Sequence, residues 1–181
     1  MRGTIFQKDR FELVMNEIQK IGVKEVYSLG DSHIPFKMDG VRIFSVDLYG
    51  EPDIKCDLNG EWNFSNVECI FAGQVIEHIL NPTDFIAKCY KALKLGGGFL
   101  ILTTDNWGFY LWRLQSLLGI VPKIIKHDFL HGGTRHYNVF SVKDIEKLLI
   151  SNGLNILKFV RAWKIPAPLD WQPVIFVVAQ K

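Results

Sequence analysis

Apolar positions along the chain fall into two periods. Between Phe6 and Ile21 they recur at Phe11, Leu13, Val14, Ile18 and Ile21. That spacing predicts an amphipathic helix, which Gly22 stops. Val23–Leu29 and Val41–Leu48 are short, β-branched and bounded by glycine, so both read as strands. Ile54–Leu58 reads as a short edge strand. Val67–Ala72 and Phe99–Thr104 are apolar with little alternation, the pattern of strands covered on both faces. A helix is expected from Pro82 to Leu95, with Asn81 as its cap and Gly96-Gly97-Gly98 as its end. Trp107–Leu118 is apolar and helical in spacing, and Val121–Asn138 shows no clean period. Ser141-Val142-Lys143-Asp144 resembles a capping box and opens a helix to Ser151. Asn155–Trp163 and Pro173–Gln180 complete the strands.

Strand and helix alternate, which predicts an α/β fold with a mostly parallel sheet and helices on both faces. The last two strands are joined by a hairpin-length link containing Pro166 and Pro168, so one of them runs antiparallel to its neighbour. Open sheets of this kind bind ligands beyond the carboxyl ends of their strands. The loops after Leu29, Asp47, Ala72 and Thr104 are therefore expected to converge on one site.

Composition narrows the class. With 181 residues the chain suits one domain, and 48% apolar with 22% charged residues is ordinary for a globular protein. The net charge of +2 is spread over both signs, which does not suggest a nucleic-acid surface. No apolar run is long enough to span a bilayer, and the polar Met1–Arg10 stretch lacks a signal-peptide core. Cys56, Cys69 and Cys89 form no C-x-x-C pair and are expected as buried free thiols of a reducing compartment, most simply the cytoplasm. Oligomeric state is not legible.

The stretch Phe71-Ala72-Gly73-Gln74-Val75-Ile76-Glu77-His78-Ile79-Leu80-Asn81-Pro82, followed by Leu93-Lys94-Leu95-Gly96-Gly97-Gly98 and Ile101–Asn106, resembles class I methyltransferases of the type 11 kind, which use S-adenosylmethionine (SAM). Arg135-His136-Tyr137-Asn138-Val139-Phe140-Ser141 resembles the approach to that family's last helix. The resemblance implies a Rossmann-like, seven-stranded, mostly parallel sheet with an antiparallel C-terminal strand. It implies SAM as cofactor and a small-molecule, lipid or glycan-type acceptor.

On that reading Asp47 meets the ribose diol, and Asp57 with Leu58 meets the adenine. Gly30, Gln74 and Glu77 line the methionine end. His78 is the candidate general base or acceptor-orienting group. The glycine loop departs from the family pattern. Ser28 stands where an acid is usual, and Ser32 and Ile34 stand where glycines are usual. The link to Asp47 is short, so the helix after this loop is expected to be truncated or missing. Either Asp31 takes over the ammonium contact, or the site is eroded and the chain is an inactive binding or scaffold module. Trp107, Phe109, Tyr110 and Trp112 suit core or lid packing, or an apolar acceptor pocket. His127, His131 and His136 flank Asp128, but their spacing does not place them on one helical face, so no metal site is assigned.

Overall fold

The computed structural model describes residues 5–31, 37–120, 136–161 and 168–181, with side chains from Phe11 onward. Its strands are β1 (Glu25–Leu29), β2 (Arg42–Asp47), β3 (Ile54–Lys55), β4 (Cys69–Gly73), β5 (Phe99–Asp105), β6 (Asn155–Phe159) and β7 (Val174–Gln180). They form one sheet in the order β3-β2-β1-β4-β5-β7-β6. The pairs from β3 through β5 are parallel. Strand β7 runs antiparallel to both β5 and β6. The reversed C-terminal strand is thus present, inserted between β5 and β6.

Alternation along the central strands supplies two cores. Ile70, Ala72, Leu100, Leu102 and Val177 face one side with Phe85, Ile86, Cys89, Ile145 and Leu149. Those partners come from helices α2 (Pro82–Ala92) and α4 (Val142–Ser151). Cys69, Phe71, Ile101, Phe176 and Val178 face the other side and pack on Val14 and Ile18 of helix α1 (Ile5–Ile21). Each central strand is buried on both faces, which is why its sequence is apolar without a clean alternation. All three cysteines are buried and free.

Helix starts follow local chemistry. Asn81 Oδ1 accepts from Asp84 N at 3.2 Å, with Pro82 in the first turn of α2. The capping box at α4 is complete: Asp144 N donates to Ser141 Oγ, and Ser141 N donates to Asp144 Oδ2 at 2.8 Å. Several ends differ from the sequence expectation. Helix α2 stops at Ala92 rather than Leu95, because Leu93 turns extended and bridges Val67. Strand β3 ends at Lys55 rather than Leu58, because Asp57 Oδ1 accepts from Asn59 N at 2.9 Å and turns the chain. The Trp107–Leu118 helix, α3, starts only at Tyr110. Asn106 Oδ1 holds Gly108 N at 2.9 Å and Phe109 N bonds Asn106 O, so the preceding residues form a turn.

Two expectations about packing resolve differently. The link from β1 to β2 contains no helix among its described residues: Met38 bridges Val41 across a turn. Beside it, Val41 and Ile43 sit at the border of the α1-side core, next to an open groove of about 460 Å³. Helix α3 is not core. None of its residues is buried, and Leu114 and Leu117 are 51% and 83% exposed. Tyr110 packs on Trp171 at 5.1 Å between ring centroids, while Leu114 and Leu117 stay open, so spacing reports which residues share a helix face and not how much of it is covered.

Candidate functional site

The carboxyl ends of β1 to β5 carry the candidate residues. Gly30 follows β1 with φ +70°, a region costly for any residue with a Cβ. A Cβ there would also stand 2.8 Å from Val75 Cγ2. Gly30 N donates to Val46 O at 2.8 Å, and Cys56 N donates to Asp47 O at 2.9 Å. Sheet register therefore sets Gly30, Asp47 and the turn at Asp57 side by side on neighbouring strand ends.

Asp47 is half-buried, and its Oδ1 accepts from Tyr49 N at 3.1 Å. Asp57 is exposed, while Leu58 is half-buried against the core on the α2 side. The Asp57 turn is anchored across the site: Leu80 N donates to Asn59 Oδ1 at 2.9 Å, and Lys88 Nζ donates to Asn59 O at 3.1 Å. Asp31 is buried and lines the groove on the α1 side with Lys37, Met38, Ile43, Ser45 and Asp53. Ser28, the residue in the acid's position, is 1% exposed, and its Oγ has no hydrogen-bond partner among the described residues.

The other half of the strand ends is built around Glu77. After β4, Gln74 takes φ +59°, a left-handed conformation uncommon outside glycine. Its N–H donates to Thr103 O at 2.8 Å. With the amide oriented by its neighbours, its side-chain nitrogen donates to Glu77 Oε1 at 3.1 Å and Asp105 Oδ1 at 3.2 Å. Thr104 Oγ1 donates to Glu77 Oε2 at 3.0 Å. Glu77 lies in a 3₁₀ turn, Ile76–His78, and is 2% exposed.

The main chain around residue 137 crosses this turn. Tyr137 N and Asn138 N both donate to Glu77 O, at 2.8 and 3.1 Å, and Asn138 Nδ2 donates to Ile79 O at 2.6 Å. The His78 and His136 rings come to 4.7 Å between centroids, tilted by 55°. Beyond β5, Trp107, Trp112, Arg113, Ser116 and Leu117 line a second cavity of about 480 Å³. Trp107 N bonds Phe140 O, which ties that cavity's edge to the same crossing segment.

Sequence reasoning named Glu77 and His78 but not their proximity to His136. His136 was read instead within the approach to the last helix and beside His127 and His131. His127, His131 and Asp128 lie outside the described residues.

Solved structures share this architecture. Magnesium protoporphyrin IX methyltransferase from Synechocystis PCC 6803, with bound SAH, superposes with TM-score 0.66, covering 100% of this chain and 89% of that chain at 17% identity. A SAM-dependent methyltransferase from Clostridium acetobutylicum gives TM-score 0.65, covering 96% of this chain and 91% of that one at 13% identity. This chain has the class I SAM-dependent methyltransferase fold. A sequence relative supports it: the mitochondrial ubiquinone biosynthesis O-methyltransferase of Rattus norvegicus is 33% identical over 105 residues, 56% of this chain. The human protein of the same name is 30% identical over 90 residues. The chain matches only 29% of the rat protein's length and 23% of the human protein's. No family model matches the sequence. No described helix is long and apolar enough to cross a membrane.

Within the methyltransferase fold, the site splits by strand. Gly30, Asp47, Asp57 and Leu58 occupy the β1–β3 side, and Gln74, Glu77 and His78 follow β4.

Proposed function

We propose that the protein is a SAM-dependent methyltransferase acting on a small-molecule, lipid or glycan-type acceptor. The observation that carries this is the half-buried carboxylate of Asp47 on the strand end beside Gly30. A carboxylate there suits a ribose diol, because it accepts two hydrogen bonds from adjacent hydroxyls. Asp57 and Leu58 supply a polar edge and an apolar wall for the adenine. Gly30 and Gln74 border the methionine end. The buried Ser28 Oγ is a further polar atom still able to bond a ligand or water. SAM, when bound, supplies an electrophilic methyl group.

The protein's own part is positioning, which accounts for much of the rate in such a transfer. Trp107 and Trp112 form an apolar wall for the acceptor, with Arg113 at its edge. His78 orients the acceptor's reacting atom. The relatives named as O-methyltransferases favour a hydroxyl acceptor. The buried free thiols favour a reducing compartment such as the cytoplasm.

The second reading is a binding module without turnover, favoured by Ser28 in place of an acid. Calorimetric titration with SAM and SAH tests both. Binding is expected, and Asp47→Ala should weaken it about ten- to a hundredfold, as loss of charged hydrogen bonds does. No heat at millimolar ligand overturns the methyltransferase reading and selects the second, in which the site is eroded. Binding without methyl transfer to any hydroxyl acceptor selects the second.

A further inference from the structure

Three ligand-capable side chains meet above the β4 end. One donor atom each from Glu77, His78 and His136 lies within 4.8 Å of the other two. Glu77 and His78 come from one 3₁₀ turn, and His136 comes from the segment that crosses it. Main-chain bonds from Tyr137 and Asn138 to Glu77 O fix that crossing, so the approach of His136 is built into the backbone. The rings are tilted rather than stacked, an arrangement that lets nitrogens from both edges reach a common point.

The carboxylate has the supports expected of a ligand. Thr104 Oγ1 and the Gln74 amide each hold one of its oxygens. Such outer-shell bonds orient first ligands in metal sites. Gln74 is held at φ +59° while doing so, a conformation uncommon outside glycine. The surrounding turn over-determines that conformation, as at other sites where strain accompanies function.

We propose that Glu77, His78 and His136 bind a first-row divalent cation. Two imidazole nitrogens and one carboxylate oxygen suit Zn²⁺, Mn²⁺, Fe²⁺ or Co²⁺ better than Mg²⁺ or Ca²⁺, which prefer oxygen donors throughout. Three protein ligands leave coordination positions open. The acceptor's hydroxyl oxygen takes one of them. A hydroxyl held on a divalent cation ionises more readily: its O–H bond breaks, the electron pair stays on oxygen and the proton passes to solvent water. His78 then acts as a ligand rather than as a general base, and Gln74 acts as a positioning residue. The hydroxyl-acceptor part rests on the methyltransferase reading, whereas cation binding does not.

The test uses the purified chain stripped with chelator and titrated with Co²⁺, followed by its visible absorption, and with Zn²⁺ by competition. One Co²⁺ per chain is expected. His136→Ala and the isosteric Glu77→Gln should each weaken binding more than about tenfold, and Gln74→Ala by about 10–100-fold. SAH titration and circular dichroism of each variant run in parallel. Retained SAH binding in His136→Ala shows an intact fold and locates the lost metal affinity at the ligand. Absence of Co²⁺ and Zn²⁺ binding at millimolar metal overturns the proposal. So does binding that neither His136→Ala nor Glu77→Gln changes. Metal binding without any SAH binding supports this site while sinking the methyltransferase reading.

Discussion

Single residues decide where a ligand can approach. Gly30 is the clearest case, because two requirements coincide on it. Its backbone is at φ +70°, and a Cβ would press on Val75 Cγ2 at 2.8 Å. Gly30→Ala is expected to destabilise the fold by about 1–3 kcal/mol, from the left-handed penalty plus the overlap. Denaturant unfolding measures this, and a midpoint equal to wild type would show that the β1 turn relaxes freely. Gly30 was readable from sequence because the need for positive φ after a strand is local. The meeting of His136 with Glu77 and His78 was not. It depends on Tyr137 and Asn138 bonding to Glu77 O across a long separation in the chain, and no spacing rule reports such a bond. Nearness in sequence grouped His136 with His127 and His131 instead of with Glu77 and His78.

At the scale of elements, the beginnings of α2 and α4 were legible, while the start of α3 and some helix and strand ends were not. The box Ser141-Val142-Lys143-Asp144 acts within four residues, so its sequence predicts its geometry. Leu93 leaves α2 because Val67, on a distant strand approach, pairs with it. Asp144 also sets a pH dependence. Hydrogen bonds from the Ser141 hydroxyl and backbone hold its carboxyl below the usual range. A carboxyl with a lowered native pKa stabilises the fold above its unfolded value, about 3.9, and loses that contribution as pH falls through the native value. Asp144→Ala should therefore cost about 1 kcal/mol near neutral pH, with the gap to wild type closing in acid below about pH 4. Unfolding free energies at the two pH values measure it. A gap that stays constant would assign the loss to packing of α4 rather than to the charged cap.

At the scale of the whole molecule, one sheet holds both halves of the site. Strands β1 to β3 carry Gly30, Asp47 and Asp57, and β4 and β5 carry Gln74, Glu77 and Asp105. Their relative placement is maintained by parallel register across the sheet and by cores on both faces. Alternating strands and helices announced this architecture, and the short last link announced the reversed strand. The exposure of Leu114 and Leu117 on α3 was not announced, because apolar spacing reads the same whether or not a partner covers it. A ligand that spans β1 to β4 exists only when the sheet does, so it binds the native state and not the unfolded chain. At about 100 times its Kd such a ligand stabilises by about 2.7 kcal/mol. For a chain of this size each kcal/mol moves the melting midpoint by about 2–4 °C, so SAH should raise it by about 5–11 °C. Asp47→Ala should shift the concentration needed for that rise upward without altering the ligand-free midpoint by more than about 2 °C, because Asp47 lies at a strand end rather than in either core. Scanning calorimetry across SAH concentrations measures both effects. A ligand-free midpoint that collapses in the variant would make Asp47 a structural cap of β2, and the ribose assignment would fall with it.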